Sequence, residues 1–323
     1  MALIKELPLG ELRTQIGLIL RDAWFVNGTL YNSEAWHGIT KNTMKPLESV
    51  DQHLLRQLLG AHSKTPLEFL YLETGCTPLT YIVMSRRLIY LKEILSRPKE
   101  ELISRIYHAQ KATPKPGDWC KTVQEDFDVL QLQMTDEDIS MMGTNIYKRY
   151  IKSKTKKASF EALEAMLATH TKVNHIKYIN NGKPQSYLTN KMFSNIECQV
   201  LTMLRSQTLR GIRKNFGGMY PGATLCPLCR AHEDTQEHIL KCHEILKVAQ
   251  EVGQDNAEFS DVFASVTRQK HVVKKYLIAL CARDSLLEDE SQHSLPGLHN
   301  TGPTLARTAR TGQGREDIQS VQL

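Results

Sequence analysis

Thr77-Pro-Leu-Thr-Tyr-Ile-Val-Met-Ser-Arg-Arg-Leu-Ile-Tyr-Leu-Lys-Glu-Ile-Leu95 decides the fold class. Its apolar residues recur every three or four positions, so Ile82, Met84, Leu88, Leu91, Ile94 and Leu95 face inward from one helix. Thr77 suits the cap and Pro78 the first turn. The same period runs upstream through Leu12, Ile16, Ile19, Ala23, Val26 and Leu30. It returns at Leu47, Val50, Leu54 and Leu58, with Leu55 and Leu59 beside them, and Gly60 follows as a left-handed stop. Glu100 to Gln110 continues as another helix. No alternating strand pattern interrupts this region, and the chain reads as mainly α.

Downstream, Pro114, Pro116 and Gly117 mark a boundary. Helices resume near Asp118 and after Thr135, where Thr-Asp-Glu-Asp resembles a capping box. Asn180, Asn181, Gly182 and Pro184 place a loop or short hairpin within 173–188. Thr189 then caps a helix whose inner face is Met192, Ile196, Val200 and Leu204. A last amphipathic stretch spans Phe259 to Leu287, and the polar tail after it should be disordered. The expected division is a helical domain over 1–112 and a helical connector with a basic segment over 118–218. A small Cys/His module with the C-terminal helix follows over 219–287, then the tail over 288–323.

The 323 residues carry a formal net charge of +6, with 41% hydrophobic and 24% charged residues. This balance permits a polyanionic partner without demanding one. The N-terminus lacks a signal-peptide pattern, and no apolar run approaches 18 residues, so a soluble, intracellular protein (nuclear or cytoplasmic) without a membrane partner is expected. Reduced thiols are expected there. Seven cysteines, an odd number, with three clustered near one histidine, argue for metal over disulfides.

That cluster is Cys226-Pro-Leu-Cys229 followed by His238 and Cys242. Two cysteines flanking two residues place both sulfurs on one side of a turn. Asp234-Thr235 reads as a helix start, with Glu237 completing a capping box. His238 and Cys242 then lie four apart on one helical face. The pattern Cys-x2-Cys-x8-His-x3-Cys supplies the Cys3His set of a closed site, and one structural zinc ion is expected. A plain buried turn or a redox pair is the competing reading, but Met219 to Leu225 reads as a turn where a redox pair needs a strand. His232 and His243 are spare ligands with poorer spacing.

Arg205, Arg210, Arg213 and Lys214, with Phe216 and Tyr220 interleaved, approach this module. Cations and aromatics together suit phosphate contact and base stacking; a solvated helix face is the bland alternative. The run from Lys148 to Lys157 reads as a solvated helix or a localisation signal. Enzyme motifs are missing: no phosphate-binding glycine loop, no Gly-x-Ser-x-Gly, no His-Glu-x-x-His and no Asp-Asp pair for two magnesium ions. Asp255, Glu258, Asp261 and Lys270 lack the strand context of a nuclease site.

Four upstream segments, Leu30–Trp36, Leu47–Gly60, Thr65–Gly75 and Arg86–Leu95, resemble the region after the palm in reverse transcriptases of non-long-terminal-repeat retrotransposons. Cys226–Cys229 with Asp234–Cys242 resembles the zinc knuckle that closes the same polyprotein. The resemblance covers roughly residues 11 to 285 and implies a thumb and connector followed by a knuckle. It departs from the family where fingers, palm and catalytic aspartates should stand, and the Pro-Asp and acid-Lys pattern of a downstream endonuclease is not found. The gap before His238 is also longer than in retroviral knuckles.

The expected function is therefore a non-catalytic module that binds RNA or DNA weakly and non-specifically, with the rest of such a polyprotein as a further partner. The alternative is a zinc-stabilised protein-interaction module.

Overall fold

Leu88, Leu91 and Ile94 are buried on one helix, as their spacing predicts, together with Val83. That helix belongs to a computed structural model describing residues 13–39, 41–173, 176, 178, 182–215, 224–254 and 257–293. The expectations at Leu12, Asn180, Asn181, Phe216, Tyr220 and Asp255, and for the tail from 294 on, lie outside the described residues. The fold is helical, and among the described residues the only β-pairing is one isolated bridge, Leu225 with Glu233.

The helices are α1 (Arg13–Leu20), α2 (Lys41–Leu59), α3 (Leu67–Thr74), α4 (Leu79–Leu95), α5 (Leu102–Ala112), α6 (Trp119–Val129) and α7 (Asp136–Met141). They continue as α8 (Thr144–Leu167), α9 (Ser186–Thr189), α10 (Asn195–Arg205), α11 (Gln236–Ile239), α12 (His243–Val248) and α13 (Val266–His293). Two compact units form: one from 13–58 and 66–189, the other from 59–65 and the chain from 190 onward. Residues on both sides of the Pro114–Gly117 turn share one cluster in the first unit: Leu88, Leu91, Tyr107, Val123, Phe127, Ile139, Tyr147 and Ile151.

Four local expectations are corrected. After α1 the chain makes a π-helical turn, Arg21–Val26. Of the expected face Val26 and Leu30 are buried, but Ile19 and Ala23 are exposed and Thr14, Leu18 and Arg21 are buried instead; the extra residue of the π-turn shifts the register between the two ends. Helix α4 begins one residue later than expected. Pro78 is its cap residue, no side-chain cap bond forms, and the Thr77 carbonyl instead accepts from Arg21 at 3.1 Å. Thr189 ends α9; the next helix starts at Asn195, capped by Ser194 in a reciprocal box with Glu197, and Met192 is exposed. Val50 points outward while Asp51 occupies the apolar stripe of α2.

Asp51 is tolerated there because it is fully paired. Arg21 Nε and Nη2 donate to its two oxygens at 2.6 Å each, and the Tyr71 hydroxyl donates at 3.0 Å. Burial pulls the Arg21 guanidinium down, but the Asp51 bond and charge hold its pKa above the ordinary value. Arg87 and Asp126 form a second buried pair at 2.7 and 2.8 Å.

Candidate metal centre

The second unit converges four ligand atoms. Those of Cys226, Cys229, His238 and Cys242 all lie within 4.8 Å of one another. Cys226 Sγ is 3.9 Å from Cys242 Sγ, and Cys229 Sγ is 3.2 Å from His238 Nε2. A tetrahedral ion with metal–sulfur bonds near 2.3 Å sets its sulfurs ~3.8 Å apart. The cluster is of that size, so these residues fit one metal ion.

The turn is built by its backbone. Arg230 takes φ of 53°, which folds the chain back after Cys229. Its N–H donates to the Cys226 carbonyl at 3.0 Å, and the Cys226 N–H donates to the His232 carbonyl at 2.8 Å. Burial pushes the Cys229 thiol up, but N–H groups of Ala231 and His232, with the His232 and His238 side chains, outweigh it and bring the pKa to about 5. Cys226 goes the other way: burial pushes its thiol up to about 11. One thiol is thus a ready thiolate, while the other must lose a proton to bind a cation.

The expected single helix carrying His238 and Cys242 is corrected. Helix α11 ends at Ile239, and Cys242 is the cap residue of α12, so a break separates the two ligands. The cap of α11 is Thr235, whose hydroxyl accepts from the His238 N–H at 3.1 Å. Asp234 serves elsewhere. It is buried, accepts from both Arg283 nitrogens and from the Arg213 N–H at 2.8 Å, and its own N–H donates to Thr224. Sequence reasoning missed this anchor, although Arg283 sits on the apolar stripe of α13 three residues past Leu280. His232 stacks on His238 with ring centroids 5.2 Å apart, and His243 is turned to Glu244 at 2.8 Å.

The basic residues separate. Helix α10 stops at Arg205, and Gln207 and Gly211 take positive φ, so Arg210, Arg213 and Lys214 do not extend that helix. Arg205 is corrected as a phosphate contact: it is buried, donates to the Val262 carbonyl at 3.2 Å and lies over the Phe263 ring. Arg210 is exposed. Arg213 Nη1 reaches the Leu225 carbonyl at 3.4 Å, and Lys214 bonds Glu233 at 2.9 Å. Arg213 and Lys214 thus lie against the loop that carries the first two cysteines.

Cys76 and Cys198 are buried, Cys120 is half-buried and Cys281 is exposed; none of the seven cysteines is in a disulfide. Among the described residues no helix is long and apolar enough to cross a membrane. No protein-family model, curated protein or solved structure matches this chain.

Proposed function

We propose that this chain is a non-catalytic nucleic-acid-binding module whose C-terminal part is built on one structural zinc ion. The observation that carries the reading is the convergence of Cys226, Cys229, His238 and Cys242 with Arg213 and Lys214 fastened to the same loop. Three thiolates and an imidazole are the donor set of closed structural zinc sites, and sulfur ligands disfavour hard cations. Four protein ligands leave no coordination position for water or substrate, so the ion folds the loop. The Cys/His pattern and the upstream helical segments resemble the C-terminal part of a non-long-terminal-repeat retrotransposon polyprotein, and we propose that origin. Free thiols suit a reducing, intracellular setting.

One observation favours a second reading, a zinc-stabilised protein-interaction module. Arg205 is buried and Lys214 is already paired, which leaves few free cations beside the metal loop.

Elemental analysis of the purified full chain tests the zinc: close to one equivalent is expected. Anisotropy with labelled single strands at several salt concentrations tests the partner. Affinity should fall steeply with salt, and Arg210→Gln with Arg213→Gln should weaken every sequence alike while retaining zinc. Undetectable binding at low salt transfers the reading to protein interaction.

A further inference from the structure

Helix α8 holds a cationic face that neither the metal centre nor the fold uses. Lys148, Arg149, Lys152, Lys154, Lys156 and Lys157 crowd ten consecutive positions of it, and its first carboxylate is Glu161. Lys148, Lys152 and Lys156 are four positions apart, so they climb ~6 Å at a time and, with Arg149, span ~100° of the helix circumference. Lys154 lies outside this arc and sits over the Tyr150 ring. Burial on this half of the helix falls instead on Tyr147, Ile151 and Thr155. Only the two end lysines are neutralised: Lys148 faces Glu93 at 3.4 Å, and Lys157 faces Glu161 at 3.7 Å. Arg149 and Lys152 have no carboxylate partner among the described residues. Like charges three and four apart weaken a helix, so this face carries a cost that the apolar side offsets.

The strip runs into a cleft of about 520 Å³ lined by Ser153, Lys156, Lys157, Phe160, Tyr178 and Lys183, with the carboxylates of Glu161 and Glu164 also on its wall. Its walls are held in place. The buried Glu73 carboxylate accepts from the Tyr178 hydroxyl at 2.8 Å and from Tyr187 at 2.6 Å, and the Gln185 N–H donates to the Glu73 carbonyl at 2.9 Å. Gly182, at φ of 76°, lets its backbone approach α8. A Cβ there would meet Lys156 Cε at 2.5 Å and Phe160 at 3.2 Å. The Lys156 ammonium lies over the Phe160 ring, 6.0 Å from its centroid.

We propose that this strip and cleft form a second nucleic-acid site, which tracks the phosphates of a single strand along α8 and seats a base against Tyr178. Evenly spaced cations leading to an aromatic wall are what single-strand binding uses. An acidic peptide would satisfy the cations but brings a ring only where its sequence supplies one, whereas every nucleotide carries a base. The inference rests on the nucleic-acid reading above, yet its residues belong to the first unit and the metal centre to the second.

The test uses the full chain, a labelled oligothymidylate and two variants. Arg149, Lys152, Lys156 and Lys183→Gln should raise Kd about tenfold or more at 0.1 M salt and flatten the salt slope by roughly 2–3 units. Arg210 and Arg213→Gln serves as the parallel arm. Loss in the α8 variant supports the site, whatever the parallel arm does. Unchanged binding there with loss in the parallel arm overturns the α8 site and leaves the metal-side reading standing. Absence of binding by the native chain overturns both. Lysine acetylation of the native chain needs no variant: the oligonucleotide should protect Lys152, Lys156 and Lys183 but not exposed Lys99 or Lys274. Equal competition by poly-glutamate at matched charge overturns the proposal in favour of an acidic protein partner.

Discussion

Arg283 on α13 grips Asp234 beside the metal loop, Nη1 to Oδ1 at 2.7 Å and Nη2 to Oδ2 at 2.9 Å, with both side chains buried. The same Nη2 donates to the Gly211 carbonyl at 2.9 Å, and Asp234 also takes the Arg213 N–H. One ion pair therefore joins three segments: the last helix, the basic stretch and the loop between the second cysteine and the histidine.

Removing one member should be costly. Arg283→Met leaves a buried carboxylate with only backbone donors, and a loss of about 3–5 kcal/mol is expected in urea unfolding. Adding Asp234→Leu should recover part of it. Recovery stays incomplete because the Arg213 N–H then loses its acceptor, worth about 1–3 kcal/mol. A single-variant cost below about 1 kcal/mol would mean the pair is not the anchor described.

Metal uptake should depend on pH. Each of the three cysteines must lose its proton to hold an ion, so protons compete with the metal. The ion should be retained at pH 7 and released as the pH is lowered, and protection of the loop should be lost with it. Mass spectrometry of peptides alkylated by iodoacetamide at pH 7 should find Cys226, Cys229 and Cys242 protected in the metal-loaded chain and modified after chelation. Ready alkylation of any one of them with metal bound would contradict the four-residue cluster.

Metal removal should unfold the loop. Cys242→Ser, or chelation of the native chain, should expose Leu225 to Leu246 to protease while helices of the first unit stay protected. A small unit of this kind draws its folding energy from the ion. Full resistance across that segment without metal would disprove the structural role.

The start of α10 gives a sharper local comparison. Ser194→Ala should cost about 1 kcal/mol, since it removes the acceptor for the Glu197 N–H. Thr189→Ala should be nearly silent: that hydroxyl is exposed and makes only a 3.4 Å contact with the Ser186 carbonyl. Paired thermal melts decide between the two positions.

Much of the helical plan is readable from spacing. Leu54, Leu55, Leu58 and Leu59 are buried, Gly60 takes φ of 62°, and Thr135 forms the full capping box with Asp138. The Cys/His cluster is readable too, because Cys-x2-Cys constrains a turn by itself. What escapes is whatever requires a partner distant in sequence. Asp51, Arg87 and Arg283 stand on apolar stripes where a charge reads as an error, and the ion pair that explains each lies 30 to 49 positions away. The signal existed in the interruption of the stripe itself. The π-turn at Arg21 follows the same logic, since the extra residue aims that guanidinium at Asp51. The break between His238 and Cys242 had no such marker, because a four-residue spacing satisfies one helix as well as two.

The Asp234–Arg283 pair also imposes an order on biosynthesis. The outermost ligands, Cys226 and Cys242, are 16 positions apart, whereas Asp234 waits for a partner 49 positions downstream. At about 5–20 residues per second, that interval is roughly 2–10 s of translation. Once Cys242 has followed, 8 positions into that interval, the emerging chain can close its ligand loop, but the carboxylate beside that loop still has no counter-ion. A ribosome-stalled chain ending before Arg283 should therefore take up metal and still be cut by protease at 211–215. Protection there should arrive only once α13 has left the ribosome.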